Sequence, residues 1–76
     1  MEYKSLSLAL KNWRLTHRLS LSDVETMTGI SKSAISNYES RLRTPDLKNA
    51  KKLSDVLMVP MSDILEMSEY DRNKQK

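Results

Sequence analysis

Few of the 76 residues are of types that carry covalent or redox chemistry. Cysteine is absent and His17 is the single imidazole, so neither a structural zinc site nor a Cys–His nucleophile pair can be assembled. General acid–base catalysis needs titratable groups that converge in a pocket, and the carboxylates here are scattered along the chain. Gly29 stands alone, which excludes a glycine-rich phosphate cradle. No enzyme, metal or cofactor is therefore expected. The remaining chemistry is electrostatic. Residues 29–52 hold Lys32, Arg41, Arg43, Lys48, Lys51 and Lys52 against Glu39 and Asp46, a surplus of +4 (6 − 2). Residues 53–71 hold Asp55, Asp63, Glu66, Glu69 and Asp71 with no basic residue, a deficit of −5. A basic middle can meet phosphates while an acidic end is turned away from them. Charges that merely solvate a surface would give the same counts, so composition leaves both readings open.

The elements that must position these groups are helical. Apolar residues recur at steps of three and four, and one glycine with two prolines supplies little hairpin chemistry. The length allows one small domain, and the longest apolar run, residues 56–61, is interrupted by Pro60 and falls far short of the roughly 20 residues that span a bilayer. With no signal-like apolar leader and no cysteine, a reducing cytoplasm is the expected compartment. A first helix is predicted over residues 5–17, with Leu6, Leu10 and Trp13 on one face and His17 and Arg18 at its cation-tolerant C-terminal end. Ser20-Leu21-Ser22-Asp23 has the form of a capping box and opens a second, short helix with Val24 and Met27 inward, ended by Gly29. Ser31 is a further N-cap candidate, preceded by Ile30 as an apolar staple, for a third helix over residues 32–40 with Ile35 and Tyr38 inward. Thr44-Pro45-Asp46 reads as a fourth start, with Thr44 as cap and Pro45 in the first helical position. Leu47, Ala50, Leu53 and Leu57 form its apolar face, opposite Lys48, Lys51 and Lys52. A brief fifth helix over residues 62–67 offers Ile64 and Leu65 to the core. The domain thus spans residues 1–67, and residues 68–76 are expected to be a polar, frayed tail.

Two short helices joined around a glycine, the second opening with small polar residues, have the layout of a helix-turn-helix. Leu19-Ser20, Val24, Gly29-Ile30-Ser31, Ile35-Ser36, Tyr38-Glu39 and Arg43-Thr44-Pro45 stand in an order and spacing that resemble the Cro/CI-type (XRE) repressor domain, over about residues 6–65. In length the chain is similar to small phage Cro or modulator-of-repression proteins. The resemblance implies an all-α, five-helix, lambda-repressor-like domain whose third helix enters the DNA major groove. Carried onto this sequence, it makes Lys32, Ser33, Ser36 and Asn37 the base-reading residues. Their chemistry is compatible, since Asn can bind the adenine edge bidentately, Lys can donate to guanine and Ser can act either way. It assigns Arg41 and Arg43, in the loop after the third helix, to phosphates, together with Ser20 and Ser22 at the second. Arg14 and Glu39 occupy positions that resemble a helix-linking ion pair.

Three departures from the family pattern bear on affinity. Leu21 stands where the family most often has a phosphate-holding Gln, Glu25 where a small Ala is common, and Arg41 where a Gly is frequent. Arg41 would carry a conformational cost if a positive φ is needed there, although a longer third helix would avoid it. The resemblance therefore supports two functions. One is a sequence-specific transcription regulator acting on a double-stranded DNA operator. The other is a modulator or antirepressor that grips another repressor protein and binds DNA weakly or not at all. Dimerisation would add specificity in the first case, and the candidate surface around Ile64, Met67 and Tyr70 is meagre enough for a weak homodimer that forms on DNA.

Overall fold

The computed structural model describes residues 3–74, and the terminal pairs 1–2 and 75–76, which the expected domain and tail include, lie outside the described residues. Five helices follow one another, α1 (Leu6–Thr16), α2 (Leu21–Thr28), α3 (Lys32–Glu39), α4 (Leu47–Leu57) and α5 (Met61–Asn73), with no strand among the described residues. The all-α, five-helix expectation holds. Leu6, Leu10, Val24, Ile35, Leu53 and Ile64, drawn from every helix, are almost wholly withdrawn from solvent and form one core. Burial of a side chain of this size contributes about 1.5–3 kcal/mol, so these residues rather than helix propensity hold the short α2 and α3 in place.

Helix starts follow local chemistry. Ser5 caps α1, Ser20 and Asp23 complete a reciprocal capping box on α2, and Ser31 caps α3. The fourth start differs from the expectation. Asp46, not Thr44, is the cap, its carboxylate accepting from Asn49 N–H at 2.8 Å, and Pro45 is buried just before the helix rather than in its first turn. Asp46 can do this because a carboxylate at an N-cap satisfies an orphan N–H and meets the positive end of the dipole.

Helix ends depart further from sequence expectation. Gly29 ends α2 in the left-handed region at φ 77°, but Arg18, Arg41 and Met58 adopt φ 56°, 61° and 58° after α1, α3 and α4. After α1, Arg18 N–H bonds to the Leu15 carbonyl and Leu19 N–H to that of Arg14. After α3, Arg41 and Leu42 repeat the arrangement on Tyr38 and Asn37. Both are Schellman closures, in which two orphan carbonyls gain donors at the cost of a left-handed residue, about 1–2 kcal/mol for a side chain other than Gly. The third helix is therefore not prolonged past the loop position, and Arg41 bears the positive φ.

Three apolar residues expected inside are exposed. Met27 on α2, Leu47 at the first position of α4 and Leu65 on α5 all face solvent, because the inner arcs of these helices are already filled by Val24, by Ala50 and Leu53, and by Ile64 and Met67. Ile64 and Met67 are themselves core residues, which leaves only Tyr70 of the three on the expected dimer surface. The largest difference is at the C-terminus. Residues 68–73, expected as a frayed tail, are the last turns of α5, and Asp71 within them is buried against the start of α1.

Candidate nucleic-acid interface

The α2–turn–α3 unit is fixed by short-range contacts that its sequence specifies. Gly29 N–H bonds to the Glu25 carbonyl at 2.7 Å, and the chain then reverses through Ile30, which is buried, into Ser31. Thr28 Oγ1 serves both sides of the turn, donating to the Val24 carbonyl and accepting from Ile30 N–H. A Cβ placed on Gly29 would lie 3.6 Å from Lys52 Nζ. Lys52, half-buried as a residue rather than on the solvated face expected of it, thus places its ammonium at the C-terminal end of α2, where the helix dipole favours a cation.

On α3 the face opposite Ile35 and Tyr38 carries Lys32 and Ser33, both exposed, and Ser36 and Asn37, both half-buried. None of these four side chains forms a hydrogen bond among the described residues. Their polar atoms are free to meet an external partner from a helix whose backbone is held. The Asn37 carbonyl accepts from Leu42 N–H at 2.9 Å and Arg43 N–H at 3.4 Å, which ties the following loop to the end of α3. Arg43 is exposed on that loop. Beside it, Ala34, Tyr38, Arg43, Thr44, Asp46 and Asn49 line a cleft of about 280 Å³ between α3 and the start of α4.

Four side chains anchor the C-terminal end of α3. Arg14 and Glu39 meet as a bidentate pair, with Nε and Nη2 donating to the two carboxylate oxygens at 2.8 and 2.9 Å, at side-chain exposures of 14% and 8%. The hydrogen bonds to Glu39 hold the Arg14 guanidinium above its ordinary pKa despite burial, and Coulombic attraction to the same carboxylate adds to the effect. Arg14 Nη1 also donates to the Leu19 carbonyl, so one guanidinium joins the end of α3 to the turn before α2. Ser7 Oγ–H donates to the Glu39 carbonyl at 2.6 Å, and Asn49 Nδ2–H to the Tyr38 hydroxyl at 3.0 Å.

Helix-turn-helix geometry of this kind has a counterpart in the comparisons with known proteins, where a family model described as helix-turn-helix matches residues 10–64. The chain belongs to the Cro/CI-type (XRE) helix-turn-helix family. No curated protein and no solved structure matches it. The family is one of DNA-binding regulators, and this helix-turn-helix protein is of that class. Among its described residues no helix is long and apolar enough to cross a membrane.

Within the helix-turn-helix, the residues singled out from sequence fall in different situations. Ser20 is engaged in its capping box, its oxygen accepting from Asp23 N–H at 3.0 Å, whereas Ser22 is exposed beside it. Arg41, expected to point outward to phosphate, instead turns toward α5, because a buried carboxylate waits there. Its Nη2 donates to Ser5 Oγ at 3.2 Å and its Nε lies 3.4 Å from Asp71 Oδ1. Leu21 packs against the core, and Glu25 is half-buried on α2. His17 stands exposed at the end of α1, its Nδ1–H donating to the Trp13 carbonyl and its ring 5.5 Å from the indole. Sequence reasoning missed Ser7, Asn49, Lys52 and Asp71 as supports of this surface. Ser7 and Asn49 carry no signal beyond being polar on an apolar side of their helices. Asp71, at the end of an acidic run, gives none, since its partners Ser5 and Ser7 lie more than 60 residues away.

Proposed function

We propose that this protein is a sequence-specific transcription regulator of the Cro/CI repressor type, acting in the manner of small phage Cro proteins on a cytoplasmic DNA operator. Here α3 lies in the major groove, where Lys32, Ser33, Ser36 and Asn37 read base edges. The observation that carries this reading is the free polar face of α3. Four side chains able to pair with bases stand without internal hydrogen bonds on a helix whose end is fixed by Arg14, Ser7 and Asn49. Arg43 and the hydroxyls of Ser20 and Ser22 supply phosphate contacts, which position the domain without reading sequence. The acidic side chains Asp63, Glu66 and Glu69 lie exposed on α5, a different helix from the one that reads the bases.

A randomised duplex pool bound to the purified chain at two salt concentrations, then recovered and sequenced, tests the proposal. Enrichment of one motif is expected, as a palindrome with half-sites about 34 Å apart if two copies assemble on DNA. Salt-sensitive retention with no motif would sink it.

Two positions favour a second reading, a modulator that covers the DNA-reading surface of another repressor. Leu21 is spent on the core instead of offering an amide to phosphate, and Glu25 adds a carboxylate to the helix nearest the backbone. In that case duplex binding appears only with the partner present, or not at all, in fluorescence anisotropy.

A further inference from the structure

Asp71 is 2% exposed, yet it sits on the last turns of a helix whose other carboxylates face solvent. Its two oxygens are both engaged by the start of α1: Oδ1 accepts from Ser5 Oγ–H at 2.5 Å and Oδ2 from Ser7 N–H at 2.7 Å. The carboxylate thus satisfies an orphan donor at an N-terminus and meets the positive end of the α1 dipole. The same cluster receives Arg41 from the loop between α3 and α4. Its Nη2 bonds to Ser5 Oγ, while its Nε is buried 3.4 Å from Asp71 Oδ1 with no hydrogen bond of its own. Arg41 keeps this position although its backbone is left-handed at φ 61°, a region that side chains other than Gly avoid.

The immediate neighbours of Arg41 on the loop, Leu42 and Arg43, are exposed, and its own side chain remains 34% exposed. Lys74 lines a surface cleft with Ser40, Arg41 and Leu42, and its like charge does not attract the guanidinium. The attraction that keeps Arg41 inward comes from Asp71. We infer that Asp71 is a positioning residue of the DNA interface: it withholds the Arg41 guanidinium, so that the loop offers the phosphate backbone one arginine, Arg43, instead of two. The inference rests on the DNA-binding reading above. By this device the last turn of α5, remote from the helix-turn-helix in sequence, sets how many phosphates the domain neutralises.

The test is the slope of log K against log salt for duplex binding, to which each neutralised phosphate contributes about 0.9. Arg41→Gln should leave the slope of the wild type unchanged. Asp71→Asn keeps an acceptor for Ser7 N–H and removes the counter-charge, and should steepen the slope by about one. The double variant should return it to the wild-type value. A DNA-free readout accompanies these measurements. The Arg41 Nε–H should exchange slowly with water in the wild type and rapidly in Asp71→Asn, observed by NMR with far-UV circular dichroism confirming the fold.

A merely structural role for the pair would change melting temperature in both variants and leave every slope alike, which overturns the proposal. So does a loss of about one in the slope of Arg41→Gln, because Arg41 would then already be on the DNA. If Asp71→Asn fails to fold, the Arg41→Gln slope and the wild-type Nε–H exchange decide. A wild type that binds no duplex at any salt, with the Nε–H still protected, removes the DNA-binding reading and the proposal with it, whereas the preceding outcomes remove the proposal alone.

Discussion

The first and last turns of α3 differ in how they are held. At its end, Glu39 is gripped by Arg14, its carbonyl receives Ser7, Tyr38 receives Asn49, and the Asn37 carbonyl ties down the loop. At its start, Ser31 supplies one capping bond to Ala34 N–H, and Lys32 and Ser33 stand in solvent. A helix of eight residues is unstable alone, so it must be anchored somewhere by tertiary contact. Anchoring it mainly at one end leaves the side chains of its outward face without internal hydrogen bonds, as a surface that reads an external edge requires. The polar side chains in the two regions are similar in type and opposite in use.

Cutting the anchored end should have the largest effect. Glu39→Ala leaves the Arg14 guanidinium without its partner at a largely buried site, and a loss of about 3–5 kcal/mol is expected. Urea denaturation measures it, and a loss below about 1 kcal/mol would show that the bidentate pair is not an anchor. Changing the free face should spare stability and alter recognition. Asn37→Ala should cost about 1–3 kcal/mol on the selected motif and relax base choice at one position, with little loss on random duplex.

Between these regions lies Arg43, on the loop that Asn37 tethers. Arg43→Ala should weaken all duplexes alike and lower the salt slope by about one, and unequal losses on motif and random DNA would move Arg43 to the reading face. The start of α3 should respond more mildly: Ser31→Ala removes its cap and should cost about 1 kcal/mol of stability, seen as a drop of about 4–8 °C in Tm. A control distant from both ends is Met58, 90% exposed and left-handed after α4. Met58→Gly should raise stability by up to about 1 kcal/mol without touching DNA binding.

Most of the helices were legible because their signals are local. The capping box of α2, N-cap serines, apolar steps of three and four and the single Gly29 act within a few residues, and they predicted the order of the five helices and the inward residues of α1 and α3 closely. The misplacements have a common cause. Met27, Leu47 and Leu65 fit the helical period but sit at its margins, and whether a marginal position is covered depends on the width of the neighbouring helix face. The left-handed Arg18 and Met58 were not legible, since no side-chain type marks them, whereas the family resemblance marks Arg41 as a position where Gly is frequent and a positive φ would be costly.

For the candidate site, residue chemistry indicated which groups suit base edges and phosphates, and the family resemblance located them on α3 and its loop. The division of labour between the two loop arginines came from elsewhere. Arg41 and Arg43 are the same residue type two positions apart, so nothing local separates them. Asp71 does so by reaching Ser5, Ser7 and Arg41 from the last turns of α5. The order of the five helices, the turn at Gly29 and the polar face of α3 could be read from the chain alone, because capping, periodicity and glycine conformation operate over a few residues. Which charges are spent inside was settled by tertiary packing, because an ion pair depends on through-space distance and burial, and these exist only once the last turns of α5 have been brought against the start of α1 and the loop after α3.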